Sequence, residues 1–315
     1  MLRFDHETSA TKEARGGRRI TSSEPSGRRW RVRNEATADR EEHIKNVMAK
    51  NTAVAENGIQ GSFAPITENS PAACPANSIH LSLQGKGGVG KSLIASILAQ
   101  YFTDRCREIQ CIDTDPVNRT LFQYKALNVS RLELLRDGSL DQRGFDDLME
   151  RLLTEDATFV VDNGASTFLP LWSYILENNV LDSLARAGKR IYVHTVITGG
   201  QALLDTLHGF KSLADSTSER NIVVWLNEYF GRIERDGKRF EEMAAFRESE
   251  AKVFGSMRLV RRNPDTFGRD LEDVIARKLT LGEAIKDGPF SLMTKQRLQM
   301  MRREWFEQLD RLDLA

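Results

Sequence analysis

Eight consecutive residues, Gly85-Lys86-Gly87-Gly88-Val89-Gly90-Lys91-Ser92, carry the clearest chemistry in the chain. They satisfy the spacing G-x-x-x-x-G-K-[ST] at every fixed position. Glycines here let backbone N–H groups turn inward and approach phosphate oxygens with no Cβ in the way. In that pattern Lys91 reaches the β- and γ-phosphates of a nucleotide, and the Ser92 hydroxyl is a ligand of Mg²⁺. A glycine-rich turn that binds nothing is the bland alternative, and the flanks argue against it. Ile79-His80-Leu81-Ser82-Leu83 reads as a short buried strand, and Leu93 to Phe102 as a helix without a breaker. The positive end of that helix lies under the same phosphates.

Two acidic groups suit the same chemistry. Glu108-Ile109-Gln110-Cys111-Ile112 predicts a second strand, ending in Asp113-Thr114-Asp115-Pro116. Carboxylates spaced i, i+2 on a strand point the same way, and Pro116 stops further pairing. Ligands of open parallel sheets bind outside the carboxyl ends of the strands. Asp113 and Asp115 are therefore both expected to face the phosphates, holding Mg²⁺ through water and positioning an attacking water. An Asx-type turn or a helix cap is the competing reading. Further on, Ala157 to Val161 is a buried strand closing on Asp162. This is the Walker B form, with Asp162 near Mg²⁺. Asn163-Gly164-Ala165-Ser166 then makes a loop suited to sensing a γ-phosphate. The apolar run from Asn221 closes on Asn227, whose amide can read a base edge by donating and accepting together.

These residues need a frame. Short strands are expected at Arg131 to Leu134, Arg190 to Val196 and Val253 to Met257. Helices are expected at Phe145 to Leu153, Trp172 to Leu184, Ala202 to Ala214, Leu271 to Ile285 and Ser291 to Leu309. Gly199-Gly200-Gln201 turns a strand into a helix, and the polar stretch from Gly231 to Lys238 reads as an inserted hairpin. Alternation of strands and helices gives an α/β fold, a mostly parallel sheet with helices on both faces and right-handed crossovers. His194, in a strand with no ligand-type neighbour at metal spacing, is read as structural. In the last helix Met293, Leu298, Met301, Trp305 and Leu309 fall near one stripe. Packing on the domain is favoured over membrane contact, because the stripe is narrow and its flanks mix both signs.

The balance of 45 Lys+Arg against 45 Asp+Glu gives no general argument for nucleic acid. Basic segments do occur, at Arg18-Arg19, Arg28-Arg29-Trp30-Arg31 and Arg258, Arg261 and Arg262, and they suit local contacts to nucleic acid; the first two also suit acidic lipid, but a solvated tail is the favoured reading of them. Residues 1–76 lack apolar periodicity and read as a disordered extension, with residues 77–315 as the nucleotide-binding domain; Met48 is an alternative start. Cys74, Cys106 and Cys111 form no metal-ligand spacing and suggest reduced thiols, so a cytoplasmic location is expected. No apolar run reaches transmembrane length, and the N-terminus has no signal-peptide core.

Lys86, directly after the first glycine, is a second lysine that reaches the same phosphates less easily than Lys91. It reads either as a solvated loop lysine or as the mark of a subclass: Lys-Gly-Gly-Val-Gly-Lys-Ser resembles the deviant Walker A loop of the ParA/MinD ATPases. Further blocks resemble TraL, a ParA/MinD-like family of conjugative plasmid transfer regions. They are Gln84 to Ser92, Cys111 to Asn118, Tyr124 to Val129, Val161 to Ser166, Thr198 to Thr206 and Val223 to Asn227. The likeness runs from about Ile79 to Trp305. It implies ATP and Mg²⁺ binding, dimerisation on ATP and slow hydrolysis, with plasmid-transfer or plasmid-maintenance proteins as partners. By position it makes Lys86 the signature lysine that crosses to the partner's nucleotide and Lys91 the phosphate lysine. Ser92 becomes the Mg²⁺ ligand, Asp113 and Asp115 the switch I carboxylates, Asp162 the Walker B acid and Asn227 an adenine-side amide. Val117 departs from the Gln that commonly follows Asp-Pro in ParA proteins.

Two other functions use related loops. A ligase of the dethiobiotin synthetase or cobyrinic acid amidase type needs a substrate pocket, and an amidase also needs a glutamine-hydrolysing cysteine domain. A reductase like the nitrogenase iron protein needs paired cysteines for a cluster. The cysteine positions favour neither the amidase nor the reductase.

Overall fold

The computed structural model describes residues 77–105 and 108–314. The extension of residues 1–76, its arginine clusters, Met48, Cys74 and Cys106 lie outside the described residues.

Seven parallel strands form one sheet in the order β11-β8-β7-β1-β6-β2-β3. They are β1 (Ser78–Ser82), β2 (Ile109–Asp113), β3 (Ser130–Arg131), β6 (Thr158–Asp162), β7 (Arg190–Thr198), β8 (Ile222–Asn227) and β11 (Val253–Leu259). Two small hairpins, β4–β5 (Leu135–Arg136, Ser139–Leu140) and β9–β10 (Glu234–Arg235, Lys238–Arg239), stand apart from it. The helices are α1 (Lys91–Thr103), α2 (Gly144–Thr154), α3 (Phe168–Glu177), α4 (Val180–Arg186), α5 (Leu203–Ser216), the single turn α6 (Ala244–Arg247), α7 (Arg269–Ala276), α8 (Leu281–Lys286) and α9 (Leu292–Leu312).

Side chains alternate across the strands and feed two cores, one on each face. Ile79, Leu81, Phe159, Val161, Ile191 and Val193 pack with Phe145, Leu171 and Phe210 from α2, α3 and α5. Val160, Tyr192, Val196 and Trp225 pack with Ile94, Leu98 and Phe102 of α1 and with Leu298, Trp305 and Leu309 of α9. The apolar stripe of α9 is thus spent on the domain. Leu292 and Met293, at its start, stay exposed. Helix α1 buries residues all round, as a helix covered by both sheet and α9 must.

The structure corrects three boundaries. The helix expected from Trp172 to Leu184 is two, broken where Asn179 takes a left-handed φ of 49°. The helix expected from Leu271 to Ile285 is also two, parted by Lys278 at φ 56° and restarted by a capping box between Thr280 and Glu283. The strand expected at Arg131 to Leu134 shrinks to Ser130–Arg131. Beyond it, Leu132 and Leu134 are buried in the core, and the Leu132 N–H still donates to the Asp113 carbonyl at 3.0 Å. No helix among the described residues is long and apolar enough to cross a membrane.

Candidate functional site

The phosphate loop leaves the carboxyl end of β1 in the middle of the sheet. Gly88 and Gly90 take left-handed φ values of 75° and 108°, which glycine adopts without strain. A Cβ on Gly87 or Gly88 would meet nothing within 4 Å, so open space adjoins the loop at both glycines. Lys91 opens α1; its ammonium donates to the Lys86 carbonyl at 3.2 Å and so folds back over the loop. Burial lowers the Lys91 pKa, against the opposing pull of Asp162 and Asp115. Asn227, at the end of β8, donates from Nδ2 to the Val89 carbonyl at 2.9 Å and accepts from the Tyr229 N–H at 3.2 Å. Its amide braces the loop and its own turn, a positioning task that the base-reading expectation did not include.

The three carboxylates have different surroundings. Asp162 is 1% exposed, and burial pushes its pKa up to about 7 against a hydrogen bond from Ser92. Its Oδ1 is buried and has no hydrogen-bond partner among the described residues. Asp113 is equally buried, and its oxygens accept the backbone N–H groups of Asp115 and Phe122, each at 2.9 Å. Burial raises its pKa, and those N–H donors oppose the rise. Asp115 stands at the cleft. Its Oδ1 accepts from the N–H groups of Val117 (2.9 Å) and Asn118 (3.1 Å), and its Oδ2 from Asn118 Nδ2 (3.2 Å). The shared orientation expected for Asp113 and Asp115 is therefore corrected. The strand ends at Asp113, so the two-residue alternation stops there, and Asp113 anchors the turn on which Asp115 is displayed. The Asx turn that competed with the catalytic reading is present, and it is what orients Asp115.

The segment after β6 closes against this turn. Thr114 Oγ1 donates to Asn163 Oδ1 at 2.9 Å, and Thr167 Oγ1 donates to the same oxygen at 2.8 Å. Asn163 is thereby fixed while Ala165, two residues on, lines the cleft.

The cleft itself encloses about 810 Å³. One wall is the loop, with Gly87, Gly88, Gly90, Lys91 and Ser92, then Asp115, Asn118 and Tyr124. The other is the segment from Leu259 to Gly268, which includes a π-turn at Pro264–Gly268, and α7. Met301 and Trp305 of α9 also line it. Tyr229 donates to Glu272 of α7, on the far wall. In the basic segment, Arg258 pairs with Glu228 (2.6 Å) and Glu241 (2.9 Å), and Arg262 pairs with Glu304; Arg261 lines the cleft.

Lys86 does not line the cleft. Its ammonium lies 2.7 Å from Asp205 Oδ2, on the first turn of α5. Gln84, on the other side of Gly85, is buried and donates to Val196 O (3.0 Å), Thr206 O (3.1 Å) and Thr195 Oγ1 (3.3 Å).

The residues fit a magnesium nucleotide. An orphaned carboxylate oxygen on Asp162, a neighbouring Ser92 hydroxyl and an open glycine cradle are what such a group needs. Among the described residues no cluster of three or more His, Cys, Asp or Glu could hold a metal alone. That suits Mg²⁺, which takes one or two protein groups and fills its shell with phosphate and water. Of the residues expected in the site, Gly87, Gly88, Gly90, Lys91, Ser92, Asp115 and Asn227 meet at the cleft, whereas Asp113 and Asp162 are buried and do not line it and Lys86 turns to Asp205. Asn118, Tyr124, Gln84 and Asp205 went unassigned in the sequence. Asn118 had a local signal, standing three residues after Asp115. The partners of Gln84 lie more than a hundred residues away, beyond any local pattern.

Comparison with known proteins agrees with this geometry. Residues 82–272 match the model of the CobQ/CobB/MinD/ParA nucleotide binding domain. Two Escherichia coli proteins named Protein TraL are 47% and 43% identical over 233 residues, each match covering 74% of this chain and 97% of the relative. A solved ParA family ATPase from Chlorobium tepidum TLS is 14% identical with a TM-score of 0.45, covering 72% of this chain and 98% of that one. That last likeness is too distant to bear on function. On the domain match and the level of identity, the chain belongs to the TraL family, within the CobQ/CobB/MinD/ParA nucleotide-binding group.

Proposed function

We propose that this protein is a cytoplasmic ATPase that dimerises on ATP and acts as a switch in plasmid conjugal transfer or plasmid maintenance, the processes that the TraL likeness implies. The observation that carries the reading is the divergence of the two loop lysines. Lys91 is buried and lies over its own loop, whereas the Lys86 side chain is 44% exposed and its ammonium is turned away from its own cleft, toward Asp205. A lysine so placed is available to a second subunit.

Bound Mg²⁺ supplies neutralisation of charge on the phosphate oxygens. Ser92 and Asp162 would hold it, and Asp113 would keep their neighbourhood in register. The backbone N–H groups of Gly87 to Lys91 and the Lys91 ammonium take the phosphates. Asp115, steadied by Asn118, orients the attacking water. Asn163 to Ala165 close beside it. The base would lie toward Asn227 and the Leu259 to Gly268 wall.

Sedimentation of the purified chain with ATP and with ADP tests the switch. A dimer in ATP alone, with turnover that needs no small-molecule substrate, supports it. Turnover that appears only with an added carboxylate or amine acceptor would favour a ligase.

A further inference from the structure

Gln84 and Lys86 flank the first glycine of the loop, and both reach α5. Gln84 does so in the core, where its amide donates to the Thr206 carbonyl, and Gly209 one turn later leaves no room for a Cβ beside that amide. The first two turns of α5 are thereby set at a fixed distance from the loop. Lys86 does so at the surface, 2.7 Å from Asp205, with the two side chains 44% and 52% exposed. Because Gln84 fixes the helix, the place of Asp205 in front of Lys86 is built in. We infer that Asp205 is a positioning residue for Lys86: it holds the lysine on its own subunit, and the pair must open before Lys86 can serve a second one.

The inference rests on the proposed dimer. It adds a direction to it: whatever draws Asp205 away, a second copy's phosphates competing for the lysine or a basic group docking on α5, promotes the dimer. The pairing holds the Asp205 carboxyl below its usual range, chiefly through the hydrogen bond from Lys86. An acidic residue in a first helical turn also interacts with the helix dipole. A test must therefore separate loss of the pair from loss of that interaction.

The full-length chain, Asp205→Asn, Lys86→Ala and the double variant are compared by sedimentation with a non-hydrolysable ATP analogue, and by turnover with ATP. Exposed ion pairs are weak, so Asp205→Asn should raise dimer association and basal turnover only about two- to fivefold. The double variant should match Lys86→Ala, since no lysine remains to be released. Asp205→Asn that leaves a dimerising parent unchanged, or weakens it, overturns the inference. So does a gain that persists without Lys86. A parent that stays monomeric with the analogue overturns the dimer reading, and this inference with it.

Discussion

Asp115 lies directly against Gly164: a Cβ built on the glycine would stand 2.8 Å from Asp115 Cγ and 3.1 Å from its Cα. The turn after β2 and the loop after β6 therefore touch with no space to spare, at the carboxylate proposed to orient water. Gly164→Ala should displace Asp115 without unfolding the protein. Small misplacements of such a group cost on the order of 10²-fold in rate. The expected result is ATP affinity within a few-fold of the parent and turnover reduced by about 10- to 100-fold. Unchanged turnover would remove Asp115 from the role.

Lys91→Ala should abolish measurable ATP binding in a calorimetric or fluorescent-nucleotide titration, because no other lysine among the described residues lies over the loop. Parent-like affinity would contradict the assignment of the loop.

Asp115→Ala should hold nucleotide affinity within a few-fold and slow hydrolysis strongly, since a water-orienting carboxylate acts mainly in the transition state. Asn118→Ala should show the same pattern more mildly, as it frees one carboxylate oxygen. A loss of affinity in either variant would indicate a binding role instead.

Much of this site was legible because its signals are local. The loop is a contiguous run, and Asp162 closes an apolar strand. The sheet followed from the alternation of buried runs with helices. What the sequence did not carry was direction. Asp113 and Asp115 look equivalent in a string of letters, yet the chain leaves the sheet between them, and one carboxylate is captured by backbone N–H groups. Asn179 and Lys278 split two helices through left-handed turns that no glycine or proline announced. Asp205 and the far wall of the cleft come from segments more than a hundred residues from the loop, and tertiary packing alone brings them there.

His194 illustrates the same limit. Trp225 Nε1 can only donate, so His194 Nδ1 accepts from it at 2.9 Å and its proton sits on Nε2, toward His80 Nδ1 at 3.0 Å. His80 then donates from Nε2 to Ser78 Oγ at 3.1 Å. Both rings are neutral. Burial lowers both pKa values, that of His194 to about 3, and the neighbouring His194 lowers His80 further. In the unfolded chain a histidine titrates near 6.5. Below that pH the unfolded chain takes up protons that the folded one refuses. The stability present above about pH 6.5 is therefore lost as pH falls toward the folded values, by about 1.4 kcal/mol per pH unit for each ring. Urea unfolding at pH 7.5 and 5.0 should show it. His194→Gln, which can accept from Trp225 and donate to His80 without titrating, should lessen the acid loss. An unchanged pH dependence in that variant would contradict the account.

Trp305 is 4% exposed, sits in the core of α9 and lines the cleft. Trp305→Ala should cost about 3–5 kcal/mol of stability, read as a lowered Tm. Because Leu298, Met301, Trp305 and Leu309 of α9 are already covered, sedimentation with anionic liposomes should show no binding that depends on the residues after Met300. Binding lost on their deletion would mean that the helix leaves the domain for a membrane.

Mixing two inactive variants tests most directly whether Lys86 acts in trans. Lys86→Ala alone should keep monomer nucleotide affinity but lose ATP-dependent dimerisation and turnover together. Asp115→Ala should bind ATP and fail to hydrolyse it. In a mixed dimer the Lys86→Ala subunit keeps its own Asp115 and receives Lys86 from its partner, so one site is complete. The account predicts partial recovery of turnover on mixing. Mixed dimers that form, as shown by a tag on one variant, and yet remain inactive would contradict it.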